Sequence, residues 1–225
     1  MMGIQVRAAR LVDLPGVAAA LQDSFSDKLR VIFSRDPSKV RALIEASYTG
    51  PIQRGYDGIL VAERDGRIVG TVVLEPIYYT TRETRNFENL AVRELGMPRM
   101  LFSSFMLWLL GHTPDPGEAY ISDLGVIPDY QGQGVGSLLL DHAETWARER
   151  GRDSLTLWVA GGNARAIHVY QKAGLKIDHS RTSLMTLLTL GIRQWHFMVK
   201  PLKESIALPD TEEVVRLSST VSQES

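Results

Sequence analysis

Hydrophobic positions along the chain recur with two different spacings, and the switches between them outline the elements. Ile4 to Ala8 reads as a short strand. Asp13 followed by Pro15 is a helix start, and it leads into an apolar face over Val17 to Phe25. A second helix is predicted over Pro37 to Ser47. Two β-rich runs follow, Ile59 to Glu63 and Ile68 to Glu75, joined by Arg64-Asp65-Gly66-Arg67. Asp-Gly suits a tight hairpin because glycine accepts positive φ. From Thr80 to Arg99 the pattern is polar and charged. It then becomes apolar over Met100 to Leu110, with only Ser103 and Ser104 interrupting, and stops at the loop-forming Gly111 to Gly117. One or two inserted helices are predicted here. The apolar run falls short of the roughly 20 residues a membrane-spanning helix needs. A buried core helix, a subunit contact and a wall of an apolar pocket all fit it.

Beyond Pro116 the pattern turns to strand over Ala119 to Ile127, then to a glycine-rich turn. A helix follows over Val135 to Arg150, with Leu138, Leu139, His142 and Trp146 at helical spacing. Leu155 to Ala160 is another strand, and Ala164 to Lys172 another helix, ended by Gly174. Lys176 to Ser180 and Trp195 to Val199 are the last strands. Leu184 to Leu190 is apolar without a period that decides its state. Beyond Pro201 the chain is rich in Ser, Thr and Glu, with five acids and two bases from Lys203 to Ser225, and a flexible tail is expected there.

Composition narrows the function classes. The chain has 225 residues, 44% hydrophobic and 23% charged, which suits one large globular domain. A formal net charge of −1 gives no global field for nucleic acid or an anionic membrane. The absence of cysteine removes disulfides, zinc–thiolate sites and thiol chemistry. The five histidines include no H-x-x-x-H pair, so no metal is expected. The four tryptophans are not interleaved with a basic stripe, which favours core or pocket wall over a nucleic-acid platform. The first ten residues contain no secretory signal, and the expected location is cytoplasmic.

Candidate chemistry begins at the glycine turn, Gln131-Gly132-Gln133-Gly134-Val135-Gly136. Between a strand and a helix, its amides can converge on an anion at the positive end of the helix. A dinucleotide fingerprint is excluded because its third glycine would fall on Ser137 or Leu139, and a Walker loop because no Gly-Lys-Ser/Thr follows. A plain tight connection remains the alternative. A second group, Asn163, Ala166 and Tyr170, is spaced i, i+3, i+7. At about 100° per residue, Asn163 and Tyr170 fall within roughly 20° of one another on one helix face.

Together these residues resemble the GNAT superfamily of acyl-CoA-dependent N-acyltransferases. There Q/R-x-x-G-x-G/A follows the fourth strand and N-x-x-A-x-x-x-Y opens the helix after the fifth. The resemblance runs from about Ile4 to Pro201 and includes Tyr170-Gln171-Lys172-Ala173-Gly174-Leu175 leading into the next strand. It implies an α/β (α+β) fold: a mixed, mostly antiparallel central sheet with a splayed fourth and fifth strand pair, flanked by helices. It also implies one N-acetyltransferase domain over 1–202, with a helical insertion at about 80–117 before the fourth strand and a tail over 203–225. The long segment from Thr80 to Gly117 departs from the compact family pattern and bears on the acceptor end of the site.

The resemblance assigns roles by position. Acetyl-CoA is the implied co-substrate. The turn Gln131, Gly132, Gln133, Gly134, Val135 and Gly136 would hold its pyrophosphate, with Ser137 adding a hydroxyl. Backbone groups of Leu124, Gly125 and Val126 would pair with the pantetheine arm, and Val126 N–H would face the acyl carbonyl. Asn163, with Ala166 in the same motif, would bind the pantetheine chain. Tyr170, with a reference pKa near 10, would give the departing thiolate its proton; its alternative is a core aromatic. The amine must lose a proton, at about 4 kcal/mol for a reference pKa of 10.4 near pH 7.4. Asp123 is the carboxylate placed to meet it, as an anchor or through a water rather than by direct abstraction. Its alternative is a merely solvated or arginine-paired acid. Glu118 and Tyr120 are second choices. The acceptor is expected to be a small-molecule amine. A protein or peptide amine is the runner-up, and a non-catalytic acyl-CoA sensor is the alternative of another class. A homodimer is left open.

Overall fold

The computed structural model describes residues 3–203. Seven strands form one sheet in the order β1-β2-β3-β4-β5-β7-β6: β1 (Gln5–Ala8), β2 (Ile59–Arg64), β3 (Arg67–Glu75), β4 (Glu118–Val126), β5 (Ser154–Ala160), β6 (Lys176–Thr182) and β7 (Gln194–Pro201). Only β4 and β5 run parallel; every other neighbouring pair is antiparallel. The helices are α1 (Leu14–Ile32), α2 (Pro37–Gln53), α3 (Thr81–Leu95), α4 (Met97–Leu110), α5 (Val135–Glu149), α6 (Ala164–Lys172) and α7 (Leu184–Leu190). This is the mixed sheet with flanking helices that the sequence leads one to expect.

Period-2 alternation divides the core between the two faces of the sheet. On β2, Leu60 and Ala62 join the cluster with α5 residues Val135, Leu139, Ala143 and Trp146. Ile59 and Val61 join the opposite cluster with Val17 and Leu21 of α1 and Val40 and Leu43 of α2. The β2–β3 hairpin turns on Asp65 and Gly66, both at positive φ (51° and 78°), as its residue pair requires. Arg7 ties the first strand down by donating to Asp13 and Glu63, and it holds the Asp13 carboxyl below its ordinary range.

Several elements differ from the sequence reading. The first helix runs on to Ile32 through a non-helical Phe25 (φ −122°, ψ 21°), so its second half leaves at a new angle. The second continues past Ser47 to Gln53 with Pro51 inside it, where Tyr48 and Pro51 are buried. The inserted segment is two helices. A capping box between Thr80 and Glu83 starts α3, and Gly96, at φ 76°, separates it from α4. The apolar run is not a fully buried helix: Ser103 and Met106 are buried, while Leu101, Phe105 and Trp108 are exposed. Leu184–Leu190, left open by its composition, is a helix capped by the Ser183 side chain and closed by Gly191 at φ 71°. Residues 204–225, most of the expected tail, lie outside the described residues. No helix among the described residues is long and apolar enough to cross a membrane.

Candidate active site

Two irregularities of β4 make the site. The first is a register shift against β3: Val73 pairs with Asp123 but Leu74 pairs with Ile121, leaving Ser122 as an extra residue. A bulge reverses which face later side chains take. Ala119 and Ile121 join the α5-side core, and so do Leu124 and Val126. Tyr120, and then Asp123 and Gly125, therefore face α1 and α2. A Cβ on Gly125 would lie 2.7 Å from the Ala20 carbonyl oxygen of α1, which shows how closely that helix passes. Glu75 is paired with Tyr120 and lies two residues from Val73, so it joins Asp123 on this face.

The second irregularity is the parting of β4 from β5. Their pairing begins at Glu118–Ser154 and ends at Ile121–Leu157, after which β5 pairs only with β7. Ile127 N–H bonds back to the Val69 carbonyl on β3. By alternation, the N–H and C=O of Val126 point the other way, into the opening. There the Val126 N–H donates to Ser24 Oγ at 3.0 Å, and its carbonyl accepts from Gln131 Nε2 at 2.9 Å. Side chains thus satisfy main-chain groups that a ligand lying as an added strand would take. An extended ligand laid along β4 would find main-chain groups to pair with there.

The glycine turn opens at the same end. Gly132 and Gly134 have φ of 79° and 84°, which favours glycine at both positions. Gly134 is the N-cap of α5, and the first i→i−4 bond runs from Leu138 N–H to its carbonyl at 3.0 Å. The amides of Val135, Gly136 and Ser137 lie ahead of that ladder, at the positive end of the helix dipole. The Val135 side chain is buried, so only its backbone is offered, whereas Ser137 is exposed. Arg165 Nη1 donates to Gln131 Oε1 at 3.0 Å and brings a positive charge to the turn, a residue the sequence reading did not single out. The turn fits a diphosphate.

Asn163 is the N-cap of α6: its Oδ1 accepts from Ala166 N–H at 3.1 Å, so its helix-starting role uses the oxygen and leaves the amide NH2. Ala166 and Tyr170 pack against the α5-side core. Tyr170 lies close enough to Asp123 for that carboxylate, after burial, to help push the phenol up to about 12. The motif tyrosine and the strand aspartate are thus brought together although they come from opposite sides of the sheet.

Around Asp123 the structure gathers groups that sequence did not connect. Tyr48 of α2 donates to Asp123 Oδ2 at 3.1 Å. Burial raises the Asp123 carboxyl, while Tyr48, Ser122 and the Lys28 charge favour its ionised form. Glu75 is pushed up to about 7, by burial first and then by the Asp123 charge. Tyr79 and Tyr120 are raised by burial and by the same two carboxylates. Lys28 of α1 lies 4.9 Å from the Trp195 ring centre and 5.5 Å from that of Phe25, and burial lowers its pKa. The only available signal for Glu75 and Lys28 was polarity near the end of an apolar run.

Glu118, a second choice from sequence, is committed elsewhere. It is buried and bonds His112 at 2.9 Å, the Asp115 N–H at 2.8 Å and the Thr156 hydroxyl, which fixes the paired base of β4 and β5. Tyr120 stacks on His112 with ring centres 4.6 Å apart. Of the other histidines, His179 bonds Asp178 and His196 bonds the Ser180 hydroxyl.

A bulged strand that parts from its parallel neighbour beside a glycine turn on a helix N-terminus is the arrangement that the sequence resemblance implies. The family model "Acetyltransferase (GNAT) family" matches residues 19–175, and the chain belongs to that family. A mycothiol acetyltransferase of Propionibacterium freudenreichii subsp. shermanii is 44% identical over 61 residues, 27% of this chain and 19% of that protein. The chain thus aligns with only about a fifth of that relative's length. An uncharacterised N-acetyltransferase of Archaeoglobus fulgidus is 29% identical over 129 residues, 57% of this chain and 67% of that one. A putative acetyltransferase of Salmonella typhimurium, solved with its cofactor acetyl-CoA, shares the fold. Its TM-score is 0.56 and its identity 16%, over 93% of this chain and 99% of that one.

Proposed function

We propose that this protein transfers the acetyl group of acetyl-CoA to the amine of a small molecule, by direct attack with both substrates bound. The observation that carries the reading is the opening between β4 and β5 after Ile121 and Leu157, with the glycine turn at one side and the acid–tyrosine cluster at the other. The Salmonella neighbour with acetyl-CoA bound supports the same co-substrate.

The thioester supplies an activated acyl carbonyl and a thiolate leaving group. The amides of Gly132 to Gly136, the Ser137 hydroxyl and Arg165 hold the pyrophosphate. Leu124, Gly125 and Val126 align the pantetheine chain as an added strand, and the Asn163 amide binds it from α6. The Val126 N–H, bonded to Ser24 Oγ in the free protein, is the donor for the acyl oxygen once that hydroxyl is displaced. Asp123, oriented by Tyr48, anchors the incoming ammonium. Glu75 takes its proton, because a carboxyl with a pKa of about 7 is far better matched to an amine than an ordinary carboxylate. Tyr170 stays protonated at neutral pH and delivers a proton to the thiolate, and the second proton of the nitrogen, released as the tetrahedral adduct collapses to the amide, restores the phenol.

A small acceptor is favoured because the acceptor end is flanked by extra helices. α7 packs against α1, and the inserted α3 and α4 pack against α2 and α1. The test is free-thiol release from acetyl-CoA across small amines, amino acids and peptides, with calorimetry of coenzyme A in parallel. Acceptor-dependent release with small amines is the expected result. Release with peptides alone would transfer the reading to a protein acceptor, and binding without release would make the protein a sensor.

A further inference from the structure

Lys28 has no part in the chemistry above, yet its setting is unusual for a lysine. Its ammonium sits over Trp195 and near Phe25, and among the described residues it makes no hydrogen bond and no ion pair. Surface lysines keep their heads in water, so a half-buried lysine whose head lies over aromatic rings without an ion-pair partner bears a cost that an anion can relieve. The carboxylate that acts on its charge is Asp123, but the two form no ion pair and Asp123 bonds Tyr48 instead. The site therefore presents a cation on the α1–β7 side and an anion on β4, held apart by the fold. Trp195 is itself fixed, its indole N–H donating to the buried Thr186 hydroxyl of α7 at 3.1 Å, so the cation rests on a rigid platform.

A molecule with one ammonium and one carboxylate matches that arrangement. Its ammonium satisfies Asp123 and Glu75, and its carboxylate satisfies Lys28. An amine without an acid group leaves Lys28 desolvated and unpaired, and a diamine adds a second cation beside it. From this arrangement we infer that the acceptor is an amino acid or another amine-bearing carboxylic acid, recognised through its carboxylate by Lys28. The inference rests on the transferase reading and names the substrate class of the same site.

The test compares matched acceptors in the thiol-release assay: α- and ω-amino acids, their methyl esters, and the corresponding decarboxylated amines. Esterification lowers the basicity of the amine and decarboxylation raises it, so a preference over both cannot come from amine protonation. The expected result is a kcat/KM at least about tenfold higher for free acids than for either counterpart, equivalent to 1.4 kcal/mol. In Lys28→Gln that ratio should fall to near one, chiefly through KM for the acids, and Lys28→Arg should keep most of it. Calorimetry of coenzyme A checks that each variant still binds the co-substrate. Equal or better turnover of esters, simple amines or peptides by the unaltered protein overturns the inference and leaves the transferase reading standing. Coenzyme A binding with no transfer to any acceptor overturns both.

Discussion

Glu75 and Asp123 share one face of neighbouring strands, but their surroundings differ. Asp123 has the Tyr48 hydroxyl and the Lys28 charge to favour its ionised form. Glu75 has burial and the Asp123 charge against its ionised form, and together they push its carboxyl up to about 7. If Glu75 accepts the proton of the amine, kcat/KM rises through an acid limb near pH 7, and Glu75→Gln flattens that limb and lowers the rate about 100-fold or more. A pH–rate profile of both proteins checks this. Stability gives an independent reading. A carboxyl whose pKa is raised on folding binds more protons in the native state, so stability falls as pH rises from the ordinary 4.5 through about 7. Glu75→Gln removes that loss, and its Tm should exceed the parent's at pH 8 and converge with it below about pH 5. For Tyr170→Phe the expectation is a kcat lower by about 10–100-fold with coenzyme A affinity within about twofold, because the hydroxyl acts on the departing thiolate rather than on binding. The sequence points to Tyr170 and Asp123 because one sits in a spaced motif and the other just before the strand segment proposed to pair with the pantetheine arm. Glu75 and Lys28 could not, since their nearness to Asp123 is produced by a bulge at Ser122 and a bent helix at Phe25, which no local pattern announces.

At the scale of elements, legibility follows how local the determinants are. The hairpin at Asp65-Gly66 and the strand–turn–helix around Gly134 are specified by residues next to one another, and both appear where the sequence puts them. Leu184–Leu190 is too short for its period to separate helix from strand, and α2 runs beyond Ser47 because buried Tyr48 and Pro51 hold the added turn against its propensity. The glycine turn permits a test that separates backbone from charge. A Cβ on Gly134 would meet nothing within 4 Å, but φ is 84°. Gly134→Ala therefore bears only the left-handed backbone penalty, about 1–2 kcal/mol. Gly134→Asp adds a negative charge where a diphosphate is expected and should weaken coenzyme A by at least about tenfold more than alanine does. Equal affinities of the two variants by calorimetry would remove the turn from the phosphate site.

For the whole molecule, the parting of β4 and β5 is a structural liability that a ligand can repair. The β1–β4 portion and the β5–β7 portion of the sheet are joined by a parallel ladder of four pairs, Glu118–Ser154 to Ile121–Leu157, reinforced at its base by buried Glu118 and Thr156. Beyond Ile121 the main chain of β4 has side chains such as Ser24 and Gln131 in place of a neighbouring strand. A ligand that pairs there and also engages α5 and α6 contacts elements from both portions, so its binding energy appears as stability of the sheet. With coenzyme A at 100 times its Kd, linkage gives about 2.7 kcal/mol. For a chain of this size that is a Tm rise of roughly 5–10 °C. The gain should be accompanied by slowed amide exchange at Leu124 to Val126 and at Trp158 to Ala160, the segments that face the opening, more than on the β2–β3 hairpin. Gly134→Asp should lose the thermal shift and the protection together. A thermal shift with protection confined to α5 would mean that the phosphates are held while the arm does not enter the sheet, and the acetyl group would then be delivered from outside the cluster formed by Glu75, Asp123 and Tyr170.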